Sequence, residues 1–334
     1  MSKGASRNLP NSPGPAYRRG PHWVAFAAAV FTLPLLYVGG SVTTYRVGLA
    51  VPDWPTTFGD NMFLYDFWNA PFGVRIEHAH RLYGAAVGLF TVLLAAWFLV
   101  FERRWWMKGL GLLAVVAVVI QGVLGGTRVT EVSTLLAAVH GCLGQAFFGL
   151  MVALCVLTGR VWQDGTAPQI DLDHLRRRIV VVLGLVSVQI LLGSWLRHYG
   201  TGAALAVHAV FALAVWAHAL FFAVRVERRR ARLAPLVPAA RALGIASTLQ
   251  VVLGIVSLIY LLPFDGTPRP VSFYQAVVRT AHQTTGALLL AATVVVSLRV
   301  FRQLSPSRSG RASEGEEGSA PRKTPVAFDW EAVA

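Results

Sequence analysis

Residues 72–101 read FGVRIEHAHRLYGAAVGLFTVLLAAWFLVF, Phe72 to Phe101. From Leu82 to Phe101 there is no charged side chain. About 20 such residues cross the hydrocarbon core of a bilayer as one helix. The polar end of the stretch holds Arg75, Glu77, His78, His80 and Arg81. Ionisable groups placed inside a membrane span are costly and usually functional.

Working outward, apolar runs of similar length recur at about 23–45, 108–129, 132–158, 178–199, 201–225, 236–262 and 273–301. Of the 334 residues, 55% are hydrophobic and only 14% charged, which excludes an ordinary soluble domain. The net charge of +14 would suit a nucleic-acid binder, but it sits in short loops between spans. One set of loops and tails holds Arg18, Arg19, Arg103, Arg104, Lys108, Arg160, Arg176, Arg177, Arg178, Arg225, Arg228, Arg229, Arg230, Arg232, Arg302 and Arg308. The other set is sparser, with Arg46, Arg75, Arg128, Arg197, Arg269 and Arg279. The positive-inside bias then places both termini in the cytoplasm, which an even number of spans requires.

The chain also repeats itself. Gln121-Gly-Val-Leu-Gly-Gly126 in the third span matches Gln250-Val-Val-Leu-Gly-Ile255 in the seventh, and each precedes a span carrying a histidine. The expected fold is all-α and integral to the membrane. Its eight transmembrane helices form two tandem four-helix bundles, related by a pseudo-twofold along the membrane normal. The expected organisation is a cytoplasmic tail over 1–22, a first half over 23–158, a linker over 159–177, a second half over 178–303 and a disordered tail over 304–334. The start of the chain lacks the apolar core of a signal peptide, so the first span is expected to stay in the membrane. Only the first half has a long outer loop, 46–71, rich in aromatic residues, and long structured loops are often functional. Asn69 is placed to cap the second span ahead of Pro71.

His80, His140, His208 and His282 lie one per even-numbered span, each about 10–14 Å from its outer end. A lone intramembrane histidine often only bonds a neighbouring helix. Four at matched depth, two per half, suit the axial imidazoles of haem iron. His22, His78, His174, His198 and His218 fit that pattern less well and are read as non-ligands. Glu77 shares a helix face with His80, and near a haem edge it could act as a base or stabilise developing positive charge. The alternative is an i,i+4 ion pair with Arg81 at the helix start, which is compatible with that role. Cys142 and Cys155 stand about 20 Å apart along one helix, too far for a disulfide, and are read as packing residues. No zinc-ligand spacing or phosphate-binding glycine loop occurs. Gly84 and Gly88 are expected to permit close helix packing.

Over about residues 25–300 this pattern resembles the haem A synthase family. The resemblance rests on Glu77-His-Ala-His80-Arg81, on Pro52-Asp53-Trp54-Pro55 in the first loop, and on the Gln121–Gly126 run with Arg128 and His140. It implies an enzyme that oxidises a ring methyl of haem O to a formyl group by successive hydroxylations, for cytochrome oxidase assembly. It implies a haem b cofactor held by His208 and His282. Haem O would be received between His80 and His140, with Glu77 the essential carboxylate. Partners would be a haem O synthase, an electron acceptor and the lipid bilayer, with no nucleic acid; a homo-oligomer is compatible. Many members carry cysteines flanking Pro-Asp-Trp-Pro, where this chain has Val51 and Thr57. Two other readings stand beside the enzyme. One is a di-haem b cytochrome carrying electrons between quinol and a partner, and the other a proton-relaying transporter.

Overall fold

The computed structural model describes residues 19–164, 173–261 and 271–303. Arg18, Arg269, Arg308 and both distal tails lie outside the described residues. Eight helices are long and apolar enough to cross a membrane. They are α1 (Arg19–Thr44), α2 (Phe72–Phe101), α3 (Trp105–Thr130), α4 (Thr134–Thr158), α5 (Asp173–Tyr199), α6 (Gly202–Arg228), α7 (Val237–Leu261) and α8 (Phe273–Gln303). Short helical turns at Arg160–Asp164, Arg230–Leu233 and Ala234–Leu236 lie between them. The chain is therefore a multi-pass, all-α membrane protein, and no regular strand occurs among the described residues. α1, α3 and α5 begin three to five residues before the apolar runs at 23, 108 and 178, because charged and aromatic residues continue a helix beyond its apolar part.

The helices form two rings. In one, α1 meets α2, α2 meets α3, α3 meets α4 and α4 meets α1; α5 to α8 close the second ring in the same order. The rings meet through α4 against α8, with α1 against α8 and α4 against α5 on either side. Exchanging the halves maps this set of contacts onto itself, as a pseudo-twofold requires. The central helices are accordingly the most buried: half of α8's apolar window is covered, against 17% for α3 and α5.

Each ring has its own apolar core, and both cores lie towards the arginine-rich end. In the first, Ala25, Ala28, Leu94, Phe98, Met107, Met151 and Leu154 pack together. In the second, Ile179, Val182, Phe222, Val226, Leu243, Val296 and Val300 do the same. The opposite half of each ring is left open. A single cavity of about 1770 Å³ runs there through both rings, and all four of His80, His140, His208 and His282 line it.

Two sequence expectations change here. Asn69 does not cap α2: Pro71 occupies the cap position, and the Asn69 amide instead donates to Asp66 at 2.7 Å. Gly84 and Gly88 do not seat a neighbouring helix. A methyl added at either would meet nothing within 4 Å, because both face the cavity.

Candidate functional site

Helix caps set the depth of two histidines. The Ser133 hydroxyl accepts from Leu136 N–H at 3.2 Å, and the Thr201 hydroxyl accepts from Ala204 N–H at 3.1 Å. His140 and His208 each follow their cap by seven residues. His80 and His282 lie eight and nine residues beyond the first residues of α2 and α8. At 1.5 Å per residue all four sit about 9–14 Å into their helices, at the same end of the molecule.

At that depth the rings pair. His80 and His140 have ring centres 6.2 Å apart with planes at 85°. His208 and His282 repeat this at 6.2 Å and 84°. An imidazole nitrogen binds a metal at about 2.0–2.1 Å and lies roughly 1.1 Å from its own ring centre, so two rings on opposite sides of one iron have centres about 6.2–6.4 Å apart. The donor set and spacing of both pairs therefore fit a haem iron with two axial imidazoles.

Small residues create this geometry. Cε1 of each ring packs on a glycine of the preceding helix: Gly39 under His80, Gly125 under His140, Gly193 under His208 and Gly254 under His282. A Cβ would stand 2.7 Å from His80 Cε1 and 3.1–3.2 Å from the other three. One turn before three of these glycines comes a glutamine. With its amide nitrogen facing α4, Gln121 lies 3.0 Å from His140 Nδ1, donates to the His140 carbonyl and accepts from Gly144 N–H. Gln189 Nε2 lies 3.1 Å from His208 Nδ1 and donates to the His208 carbonyl at 3.0 Å. Gln250 Nε2 lies 3.4 Å from His282 Nε2. The repeating unit is thus a two-helix hairpin, present four times, with Leu35 in the glutamine place of the first. Gln189-Ile-Leu-Leu-Gly193 escaped the sequence reading; the shared Gln-x-x-x-Gly spacing was the signal that could have found it.

Glu77 is 2% exposed and lies on the cavity wall. Its Oε2 accepts from Val51 N–H at 3.0 Å and its Oε1 from Arg81 at 3.3 Å. Arg81 also donates to the carbonyls of Asp53 at 2.8 Å, Thr56 at 2.9 Å and Val51 at 3.1 Å. The ion pair weighed from sequence is present, and it clamps the first outer loop over the first ring. His78, two residues from His80, points into that loop: its Nδ1 lies 3.2 Å from the Thr57 hydroxyl, and its ring stacks on Phe67 at 4.8 Å. The Trp54 indole fills the space over Gly126, where a methyl group would overlap it. Within the loop, partial burial pushes the Asp53 carboxyl up. Hydrogen bonds from the Thr56 hydroxyl and from Gly59 and Phe58 N–H outweigh this and hold it at about 2. Val51 and Thr57, which replace cysteines of the family pattern, are both fully buried and fixed by Glu77 and His78.

Of the six sparse arginines, Arg46, Arg128, Arg197 and Arg279 line the cavity. Arg128 donates to the Gly48 carbonyl at 2.8 Å. Arg197 donates to the Gly40 carbonyl at 2.6 Å and the Thr44 hydroxyl at 2.8 Å, tying α5 to α1 across the seam. Arg75 is exposed and off the cavity wall. Away from the pairs, His22 Nδ1 meets the Cys155 carbonyl at 3.1 Å, His218 the Ala214 carbonyl at 2.8 Å, and His198 the Ser194 carbonyl at 3.0 Å. Both cysteines are free thiols.

A heme A synthase from Shewanella oneidensis is 26% identical over 189 residues, a match spanning 52% of this chain and 56% of that protein. The chain thus matches little more than half the length of this curated relative. The profile of the cytochrome oxidase assembly protein family, COX15-CtaA, matches residues 21–207. That segment contains Glu77, His80 and His140 and stops one residue before His208, whose pairing with His282 repeats the matched half. On more than half of its length, this chain belongs to the cytochrome oxidase assembly protein family.

Proposed function

We propose that the chain is a haem A synthase, converting a ring methyl of haem O to a formyl group by successive hydroxylations. The observation that carries this reading is the presence of two imidazole pairs with the same 6.2 Å separation, the first of them under a clamped lid. The first ring takes haem O as substrate between His80 and His140. The second holds a resident haem b between His208 and His282. A haem with two histidine ligands supplies reversible one-electron transfer. With water supplying the oxygen atom, converting methyl to formyl releases protons and electrons, so an electron acceptor must complete the reaction. That acceptor and a haem O synthase are the expected partners.

The assignment of halves has support beyond the lid. Haem O bears a long isoprenoid tail that haem b lacks. One and two turns below His80 stand Gly84 and Gly88, with Gly122 facing from α3, and all three have open space beside them. The matching positions of the second ring hold Ala212, Trp216 and Val251, and Trp216 donates to Thr248 at 3.1 Å across α6 and α7. At these positions the first ring offers the tail more room than the second, which supports placing haem O in the first.

Glu77 is proposed as the carboxylate facing the substrate. Val51 N–H and Arg81 hold its two oxygens on the cavity wall, where the carboxylate can stabilise positive charge at the reacting carbon. The arginine-rich end is proposed to face the cytoplasm and the histidine end the outer side of the cell's plasma membrane.

The test is to co-express the chain with a haem O synthase and extract the haems. Haem A should accumulate above background, and Glu77→Ala should retain haem while oxidation stalls. Absence of haem A from the wild-type chain would favour a di-haem electron carrier. His208→Ala or His282→Ala should abolish the b-type reduced-minus-oxidised signal, and an unchanged signal would refute the cofactor assignment.

A further inference from the structure

The four hairpins share the histidine and the glycine under its ring, but not the residue one turn before that glycine. A ligating imidazole places one nitrogen on the metal, and its other nitrogen needs a partner that fixes the ring and tunes its basicity. Glutamine adds a side-chain amide at 3.0–3.4 Å from His140, His208 and His282. An amide has a donating and an accepting end, so a half-turn about its last bond matches whichever tautomer ligation imposes. Leu35 offers neither end. His80 Nδ1 and His282 Nδ1 are both buried without a partner, but His282 has the Gln250 amide beside its ring, 3.4 Å from Nε2, and His80 has no amide there.

We infer that Gln121, Gln189 and Gln250 are positioning residues for the three histidines they touch, and that His80 is the weakest-held axial ligand of the four. This rests on the proposed function. In the second ring both ligands have an amide, which suits a haem that keeps six ligands while passing electrons. In the first ring only His140 has one. With haem bound, His80 would be the ligand to yield to a small molecule. It stands on the α2 side, which carries Glu77, and the Arg81-clamped lid lies over it.

The experiment uses full-length chain in nanodiscs, with His208→Ala and His282→Ala removing the second pair, loaded with haem O. Carbon monoxide titration of the reduced protein reads the ease of ligand exchange, and a redox titration reads the potential. Leu35→Gln should lower carbon monoxide affinity about tenfold or more, the usual effect of a partner behind a metal ligand, and move the midpoint potential negative. Leu35→Met, similar in size but without an amide, should stay within about twofold of Leu35. In a chain with the second pair intact, Gln250→Leu should make its haem reactive to carbon monoxide. Equal affinities for Leu35→Gln and Leu35→Met, with haem retained in both, would overturn the inference and leave the proposed function standing. A chain that retains no haem at either pair would overturn both.

Discussion

Replacing Arg81 by Met tests whether the lid is held by one guanidinium. Arg81 makes three hydrogen bonds to loop carbonyls and one to Glu77, and its side chain is only 9% exposed. A hydrogen bond from a charged donor contributes about 1.5–3 kcal/mol, so three at the low end come to roughly 4.5 kcal/mol. Water entering the opened loop recovers part of this. A residual of roughly 2.7 kcal/mol still corresponds to about a hundredfold in the opening equilibrium. Hydrogen–deuterium exchange reports that equilibrium directly. The reporting amides are Val51 on Glu77, Phe58 and Gly59 on Asp53, and Thr57 and Asp60 on each other. All five should lose about a hundredfold of protection together, while amides in α4 and α8 keep theirs. Arg81→Lys should fall between, because an ammonium cannot span several carbonyls as the planar fork does. Protection within about threefold of wild type in Arg81→Met would refute the clamp.

Other perturbations probe separate parts of the site. Gly39→Ala puts a Cβ 2.7 Å from His80 Cε1, so haem content at the first pair should fall by about half or more on extraction, while Gly193→Ala, with 3.1 Å available, should leave the second pair nearly unchanged. Gly126→Ala overlaps the Trp54 indole and should speed proteolysis of the lid about tenfold without unfolding the helices. Asp53 is held at about 2 from an ordinary 3.8, so its contribution to the lid is present above about pH 4 and lost as pH falls through about 2. Lid amide exchange should accelerate over that window in the wild type, and Asp53→Asn should remove the pH dependence.

Much of the architecture was legible because membrane spans are long and depth follows from residue count. The approach of α2 to the bilayer surface, and the level of each histidine, need only an apolar run and 1.5 Å per residue. Facing is harder to read. Gly84 and Gly88 have the spacing of a helix-packing motif, yet a sequence does not say whether a glycine looks at a helix or at a cavity. Asn69 is a good capping residue two positions too early, displaced by Pro71. The lid clamp was half visible: the Glu77–Arg81 pair is a local i,i+4 contact, whereas its bonds to Val51, Asp53 and Thr56 depend on the path of a 26-residue loop. The glutamine behind His208 was missed because Gln189-Ile-Leu-Leu-Gly193 shares only Gln-x-x-Leu-Gly with its counterparts, a match too short to stand out in an apolar span.

The seam between the rings is self-complementary. α4 faces α8, and α1 touches α8 in the way α5 touches α4. Two copies of one four-helix chain, turned half a revolution about the membrane normal, would meet through the same elements. Such a dimer would be bound to keep its two histidine pairs identical. One chain carrying both rings is not, and the Arg81 clamp and Leu35 on one side, against Trp216 on the other, are where its halves differ.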